Sequence, residues 1–255
     1  MKKLFGFGVA ALAVTLVAGK ASADFAAELK CESNASKSVS KYAGSQVGCR
    51  NKCWAGVRKG DATKNCDPAA LDTVTQACIT AAQQKATGYA GKCSDCPECY
   101  DNGNCGSDAV GKIQTATNLV NTQDSGQPGT VHCGTTSSTT KENGACQDNT
   151  GKVLTKFVSA LAKCTQKCKA NEAKGKVAAG SCDPPASDPG TQGCISAAQG
   201  KCVTGVDKKC GANAPACWSA PYNNGAGWCA LVHGIVDSQY NEFFCEGSPS
   251  GAFLE

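Results

Sequence analysis

The chain has 255 residues, 20 of them cysteine, with a formal net charge of +4. Aromatic residues make up only 6%, and Gly, Ala, Ser, Thr, Asn and Lys dominate, so the apolar core is too thin to offset chain entropy by itself. Disulfides, at about 2–4 kcal/mol each, are the expected replacement.

Residues 1–23 read as a secretory signal peptide. Lys2 and Lys3 form a charged start, Phe5 to Ala18 is apolar apart from Gly and Thr15, and Ala21-Ser22-Ala23 is a small-x-small cleavage site. The apolar stretch is too short for a comfortable membrane span. An exported chain with an even number of cysteines is expected to be oxidised. Removing the signal removes Lys2, Lys3 and Lys20 and no acid, which leaves 22 basic residues (25 − 3) against 21 acidic. A charge of about +1 argues against nucleic acid or an anionic membrane as the main partner, since both require a basic patch.

Six cysteines occur twice at nearly the same spacing. Cys31, Cys49, Cys53, Cys66, Cys78 and Cys93 have gaps of 17, 3, 12, 11 and 14 residues. Cys146, Cys164, Cys168, Cys182, Cys194 and Cys210 have gaps of 17, 3, 13, 11 and 15. The likeness extends beyond cysteine. Thr75-Gln-Ala-Cys-Ile-Thr-Ala-Ala-Gln83 matches Thr191-Gln-Gly-Cys-Ile-Ser-Ala-Ala-Gln199 at seven of nine positions. The pattern predicts module 1 over residues 24–105 and module 2 over 146–210.

The first half of each module is predicted helical. Cys31, Cys49 and Cys53 fall on one face at about 3.6 residues per turn, with Ala35, Val39 and Tyr42 between them. In the second copy the same stripe holds Thr150, Leu154, Phe157 and Leu161. Gly44 and Gly48 are expected to weaken the first copy. The second half is also predicted helical. Asp67 caps it, Pro68 occupies its first turn, and Leu71, Val74 and Cys78 line one face. In the second copy Pro185, Pro189 and Gly190 delay the start to about Thr191.

Two helices joined by a polar turn make an antiparallel hairpin, and depth from the turn suggests a nested ladder of disulfides. The expected pairs are Cys31–Cys93, Cys49–Cys78 and Cys53–Cys66, then Cys146–Cys210, Cys164–Cys194 and Cys168–Cys182. The module is similar in architecture to other disulfide-pinned helical hairpins, including twin-cysteine hairpins and saposin-like bundles, but its spacings match neither family.

Residues 106–145 are rich in Gly, Ser, Thr, Asn and Gln and read as a linker. Residues 211–255 form an aromatic extension, with a helix expected over 230–244. Cys202, Cys217, Cys229 and Cys245 are expected to form two disulfides that dock this extension onto module 2.

Candidate sites are few. The run Cys93-Ser-Asp-Cys96-Pro-Glu-Cys99, followed by Cys105, has ligand-like spacing for zinc or an iron–sulfur cluster. Its Cys-x-x-Cys pairs fit thiol–disulfide exchange, although export favours structural disulfides there. His132 stands beside Cys133. His233 faces Asp237 one helical turn on, but no nucleophile motif accompanies it. Trp218, Tyr222 and Trp228 either bind a partner or form a small local core. Asn34-Ala35-Ser36 is a glycosylation sequon.

The fold class expected is all-α and disulfide-rich: two tandem antiparallel helical-hairpin modules with loop-rich connections. The function expected is that of an exported, non-catalytic structural, adhesive or binding protein, secreted, periplasmic or at the cell surface. Neither a cofactor nor a metal is expected. The expected partner is an unidentified protein or glycan, with no nucleic acid and no membrane insertion of the mature chain. The alternative is a metal-binding or thiol redox protein using the Cys93–Cys105 cluster.

Overall fold

The computed structural model describes residues 14–67, 70–94, 96–97, 99–100, 104–112, 131–133, 140–238, 240 and 244–245; of the side chains of 14–25 nothing is described. Among the described residues the chain is helical, with no strand. The α-helices are α1 (Val14–Arg58), α2 (Thr73–Thr87), α3 (Lys141–Glu172), α4 (Pro189–Asp207) and α5 (Gly225–Ser238). Residues 105–112 add a short helical segment. Helix α1 runs through the expected cleavage site at Ala23, and residues 1–13 of the expected signal lie outside the described residues.

All 20 cysteines are bonded, in ten disulfides. Helix α2 packs on α1 through Cys49–Cys78, with Cys53–Cys66 at the connecting turn and Cys31–Cys93 at the far end. Helix α4 packs on α3 through Cys164–Cys194, with Cys168–Cys182 and Cys146–Cys210 in the corresponding places. The Cα separations agree between the two sets: 4.8 and 4.8 Å for the far pairs, 5.9 and 5.8 Å for the middle pairs, 5.8 and 5.6 Å at the turns.

The stripes between the cysteines are interior. Ala35, Val39, Tyr42 and Gln46 are buried on α1, and Thr150, Leu154, Phe157 and Leu161 on α3. Gln46 occupies the place that α3 gives to Leu161. Its burial is tolerated because its amide nitrogen donates to the Tyr42 hydroxyl at 2.6 Å.

Helices α1 and α3 pack against each other and run antiparallel. The Gln166 amide donates to the Ser33 hydroxyl near one end. Asn51 Nδ2 donates to the Asp148 carbonyl at 3.1 Å near the other, where Arg58 pairs with the Asp148 carboxylate at 2.6 Å. Ser33 and Asp148 each stand two residues after the first cysteine of their set, and Gln166 and Asn51 two residues after the second. Exchanging the sets therefore maps one contact onto the other, as in a self-complementary two-fold interface. Gly44 belongs to this packing: a Cβ there would meet Thr155 Cγ2 at 3.0 Å. Its cost in helix propensity is thus offset by close approach, unlike Gly48, which faces open space.

Several boundaries differ from expectation. Asp72, not Asp67, caps α2; Pro68 lies outside the described residues. Cys66 is tied back to Cys53, and the Asp72 N–H closes the intervening loop onto the Asn65 carbonyl at 2.9 Å, so the helix starts only after it. Leu71 precedes the helix and Val74 is 65% exposed, so the buried face of α2 is Thr75, Ile79 and Ala86. In the second copy α4 starts at Pro189, two residues before the expected start at about Thr191, with Asp188 as its cap. Helix α3 begins at Lys141, inside the expected linker, because Thr140 Oγ1 accepts the Asn143 N–H at 3.1 Å. Of the rest of that linker, residues 113–130 and 134–139 lie outside the described residues. Helix α5 spans 225–238 instead of 230–244. Asn224 Oδ1 accepts the Gly227 N–H at 3.0 Å, and Asp207 Oδ1 accepts the Gly225 N–H at 2.7 Å, which sets an earlier start. A Cβ at Gly225 would meet the Val203 carbonyl oxygen at 2.5 Å, so α5 sits this close to α4 only with glycine there.

The extension is not pinned as expected. Cys202 pairs with Cys229, but Cys217 pairs with Cys133 and Cys245 with Cys99. Segment 131–133 reaches Cys217 because the Trp218 indole donates to the Val131 carbonyl at 3.3 Å. The Cys245 N–H donates to Glu32 of α1 at 3.2 Å, which draws the C-terminal segment to the first half of the chain.

Candidate functional site

Trp218 and Trp228 are buried, 6% and 1% exposed, and Tyr222 is half-buried. The Trp228 ring lies 5.1 Å from Trp218 and 5.7 Å from Tyr222, within the core cluster that holds Phe157, Leu161 and Val206. These rings are packing residues. Of the two alternatives for Trp218, Tyr222 and Trp228, a bound partner or a small local core, the burial of Trp218 and Trp228 against residues of α3 and α4 fits the local core.

The same packing leaves a cleft of about 390 Å³ between α3, α4, α5 and the loop from Cys182 to Ala186. Each helix contributes one stripe. Helix α3 gives Leu161 and Thr165, one turn apart, and α4 gives Gln192, Ile195, Ser196 and Gln199. His233, Val236 and Asp237 come from α5, with Tyr240 just beyond it. Spacings of three and four place each set on one helix face. Pro184 and Pro185 form the loop wall. Three disulfides fix the surroundings: Cys164–Cys194, Cys168–Cys182 and Cys202–Cys229.

His233 Nε2 lies 3.5 Å from Asp237 Oδ2, and its ring meets Phe157 edge-on at 6.2 Å. Partial burial raises the Asp237 carboxyl above its ordinary value, and His233 partly offsets this. Burial pushes the Tyr240 phenol far up, with the Asp183 carboxylate adding to the effect, so it stays neutral. Behind the cleft, fully buried Lys169 reaches Asp183 at 2.8 Å and Glu172 at 3.4 Å. Among the described residues that line the cleft there is no Lys or Arg.

Ser196, His233 and Asp237 share the cleft, yet no hydrogen bond joins Ser196 to His233 among the described residues. Ser196 stands inside α4, where backbone N–H groups are already used by the helix and none is free to hold an oxyanion. The groups present suit hydrogen bonding to a neutral or cationic ligand better than acyl transfer.

The Cys93–Cys105 cluster is divided among three disulfides: Cys93 with Cys31, Cys96 with Cys105, and Cys99 with Cys245. Cys31 and Cys105 sulfurs lie 3.4 Å apart, so two of these bridges stack side by side. Two groups come close enough to ligate an ion: Cys31, Cys96 and Cys105, and Glu32, Cys99 and Cys245. Their sulfurs are bonded to sulfur, and a metal needs thiolates. His132 lies elsewhere, stacked on Trp54 at 5.8 Å with Nε2 2.9 Å from Asn51 Oδ1.

Gln192, Ser196 and Gln199 are not among the sites expected from the sequence. The signal was present, since they belong to the repeated nonapeptide, whose other copy carries Gln76, Ile79, Thr80 and Gln83 at the same places. No described helix is long and apolar enough to cross a membrane. Ten disulfides fit an oxidising setting. The chain matches no protein family, no curated protein and no solved structure.

Proposed function

We propose that this is an exported, non-catalytic binding protein whose ligand occupies the cleft between α3, α4 and α5. In this reading residues 1–23 are a signal peptide. Residues 24–105 and 146–210 are two tandem antiparallel helical hairpins, 106–145 connects them, and 211–255 is an extension that closes the second one. The extension supplies the cleft's third wall, which gives it a purpose that stapling alone does not. The protein acts outside the cytoplasm, as a secreted, periplasmic or cell-surface component.

The observation that carries the reading is the lining of the cleft. It combines an apolar floor of Leu161, Ile195 and Val236 with the amides of Gln192 and Gln199, the hydroxyls of Thr165 and Ser196, and one carboxylate, Asp237. Pockets of this size with a few convergent polar groups are the usual form of a small-ligand site. The described lining holds no Lys or Arg, which disfavours anionic ligands and nucleic acid. Donors and acceptors together with apolar contact suit a neutral hydroxyl-bearing ligand, such as a short glycan.

The test is titration of the oxidised protein with mono- and disaccharides, followed by NMR. Saturable shifts at the Ile195 and Val236 methyls are expected. Gln199→Trp, which fills the cleft from a half-buried position, should abolish them while leaving helicity unchanged. Absence of any saccharide shift, or shifts that persist in the variant, would remove the reading.

A further inference from the structure

Cys99 is exposed, while its partner Cys245 is only 7% exposed. Beside them sits Glu32 of α1, 0% exposed, with a carboxylate oxygen and both sulfurs all within 4.8 Å of one another. Glu32 Oε1 accepts the Cys245 N–H, and Oε2 is buried with no hydrogen-bond partner. An unsatisfied buried carboxylate is costly, and a buried carboxyl that keeps its proton is not. No other disulfide among the described residues combines an exposed cysteine with a buried acid this close.

We propose that Cys99–Cys245 is a thiol-exchange site, in which a low-molecular-weight thiol attacks Cys99 and Glu32 delivers a proton to the departing Cys245 sulfur. This goes beyond ligand binding at the cleft and does not depend on it. The step balances. The external thiolate sulfur bonds to Cys99 Sγ, the Cys99–Cys245 bond breaks, and its electron pair leaves on Cys245 Sγ. That sulfur takes the Glu32 proton. The products are a mixed disulfide on Cys99, a free Cys245 thiol and an ionised Glu32. A second thiol, attacking the mixed disulfide, leaves Cys99 reduced and the external thiol oxidised as its dimer.

The orientation follows from exposure: of the two bridged residues Cys99 is exposed and Cys245 buried, so an incoming thiol meets Cys99 and Cys245 is the leaving group beside the acid. Burial raises the Glu32 carboxyl to about 7, against the lowering effect of the Cys245 N–H and of Lys169 and Lys112. The groups facing it are Glu28 on its own helix, Lys112 of the 105–112 segment, Lys169 of α3 and the Tyr240 phenol. A carboxyl near 7 holds its proton at mildly acid pH and still releases it to a thiolate. Opening the bridge removes the covalent tie between the C-terminal segment and the first half of the chain, across a sequence separation of 146 residues.

The experiment treats the oxidised full chain with limiting glutathione, quenches with acid and locates modified cysteines by peptide mass mapping. Glutathione on Cys99 with free Cys245 should appear before any other product. Per unit of glutathione thiolate, its rate should fall about tenfold from about pH 6 to about pH 8 as Glu32 ionises. Glu32→Gln should flatten that profile with circular dichroism unchanged. Earlier opening of another bridge overturns the proposal, and so does a variant that keeps the native pH profile. If the variant does not fold, the order of opening and the native profile still decide.

Discussion

Asp188 holds Thr191 twice: its Oδ2 accepts the Thr191 backbone N–H at 2.7 Å and the Thr191 hydroxyl at 2.7 Å. Asp72 also holds Thr75 twice, its Oδ1 accepting the backbone N–H at 3.0 Å and its Oδ2 accepting the hydroxyl at 2.6 Å. Both threonines are buried, 4% and 3% exposed, and both open the repeated nonapeptide. These bonds hold both carboxyls below their ordinary value, Asp72 at about 2, where Lys64 at 3.1 Å also contributes.

Asp188→Ala is therefore expected to lower the melting temperature by releasing the first turn of α4, while Asp188→Asn, a good cap residue, retains most of it. Asp72→Ala should cost more than Asp188→Ala, since it also strands Lys64. Thermal melts of the three variants check this; equal melting of native and Asp188→Ala would contradict it.

Where the sequence pattern was dense, its reading and the structure coincide in kind. The helical stripe from Cys31 to Cys53 is buried along its length, since three cysteines and three small or apolar residues on one face leave little choice of orientation. The capping aspartates were harder to read. Asp67-Pro68 resembles a helix start as closely as Asp188-Pro189 does, and only the Cys53–Cys66 bridge delays the first helix. Cys99 and Cys133 were unreadable as partners of Cys245 and Cys217, because nothing local encodes pairings across separations of 146 and 84 residues. The cleft has the same character. Its α4 stripe is written twice in the sequence, but α5, which turns the second copy into a cleft, has no counterpart to compare.

Trp228→Ala should unfold the second half of the molecule instead of acting at a surface. The ring is 1% exposed and touches both Trp218 and Tyr222. Loss of a buried Trp typically costs about 3–5 kcal/mol through transfer and cavity effects. Denaturant unfolding of the oxidised variant measures this. A change below about 1 kcal/mol would place the ring outside the core.

Lys169 is fully buried between Asp183 at 2.8 Å and Glu172 at 3.4 Å. Removing the charge with Lys169→Met leaves two acids facing a low-dielectric interior, at a typical cost of about 3–5 kcal/mol. Pairing it with Asp183→Asn should restore part of the loss, because the double variant strands fewer charges. A double-mutant cycle gives the coupling directly. Strict additivity would show that the ion pair is not an energetic unit.

Glu32 and His132 are expected to oppose each other in the pH dependence of stability. Burial, with the Arg58 and Arg50 charges, lowers His132 from 6.5 to about 3. The unfolded chain therefore binds the extra proton as pH falls below 6.5, and stability is lost on the acid side. Glu32 is raised from 4.5 to about 7. Its folded form holds the extra proton, so its contribution is fully present below 4.5 and is lost as pH rises through 7. Between pH 6.5 and about pH 5 each effect amounts to roughly 2 kcal/mol, from 1.36 kcal/mol per unit, and the two nearly cancel. The native protein should show a shallow profile in that window. Glu32→Gln should expose the His132 slope, with stability falling towards acid. His132→Asn should expose the Glu32 slope, with stability rising towards acid. Urea midpoints at half-unit pH steps distinguish the two. Variants that tilt in the same direction would show that at least one of these groups is not buried in the state assigned to it.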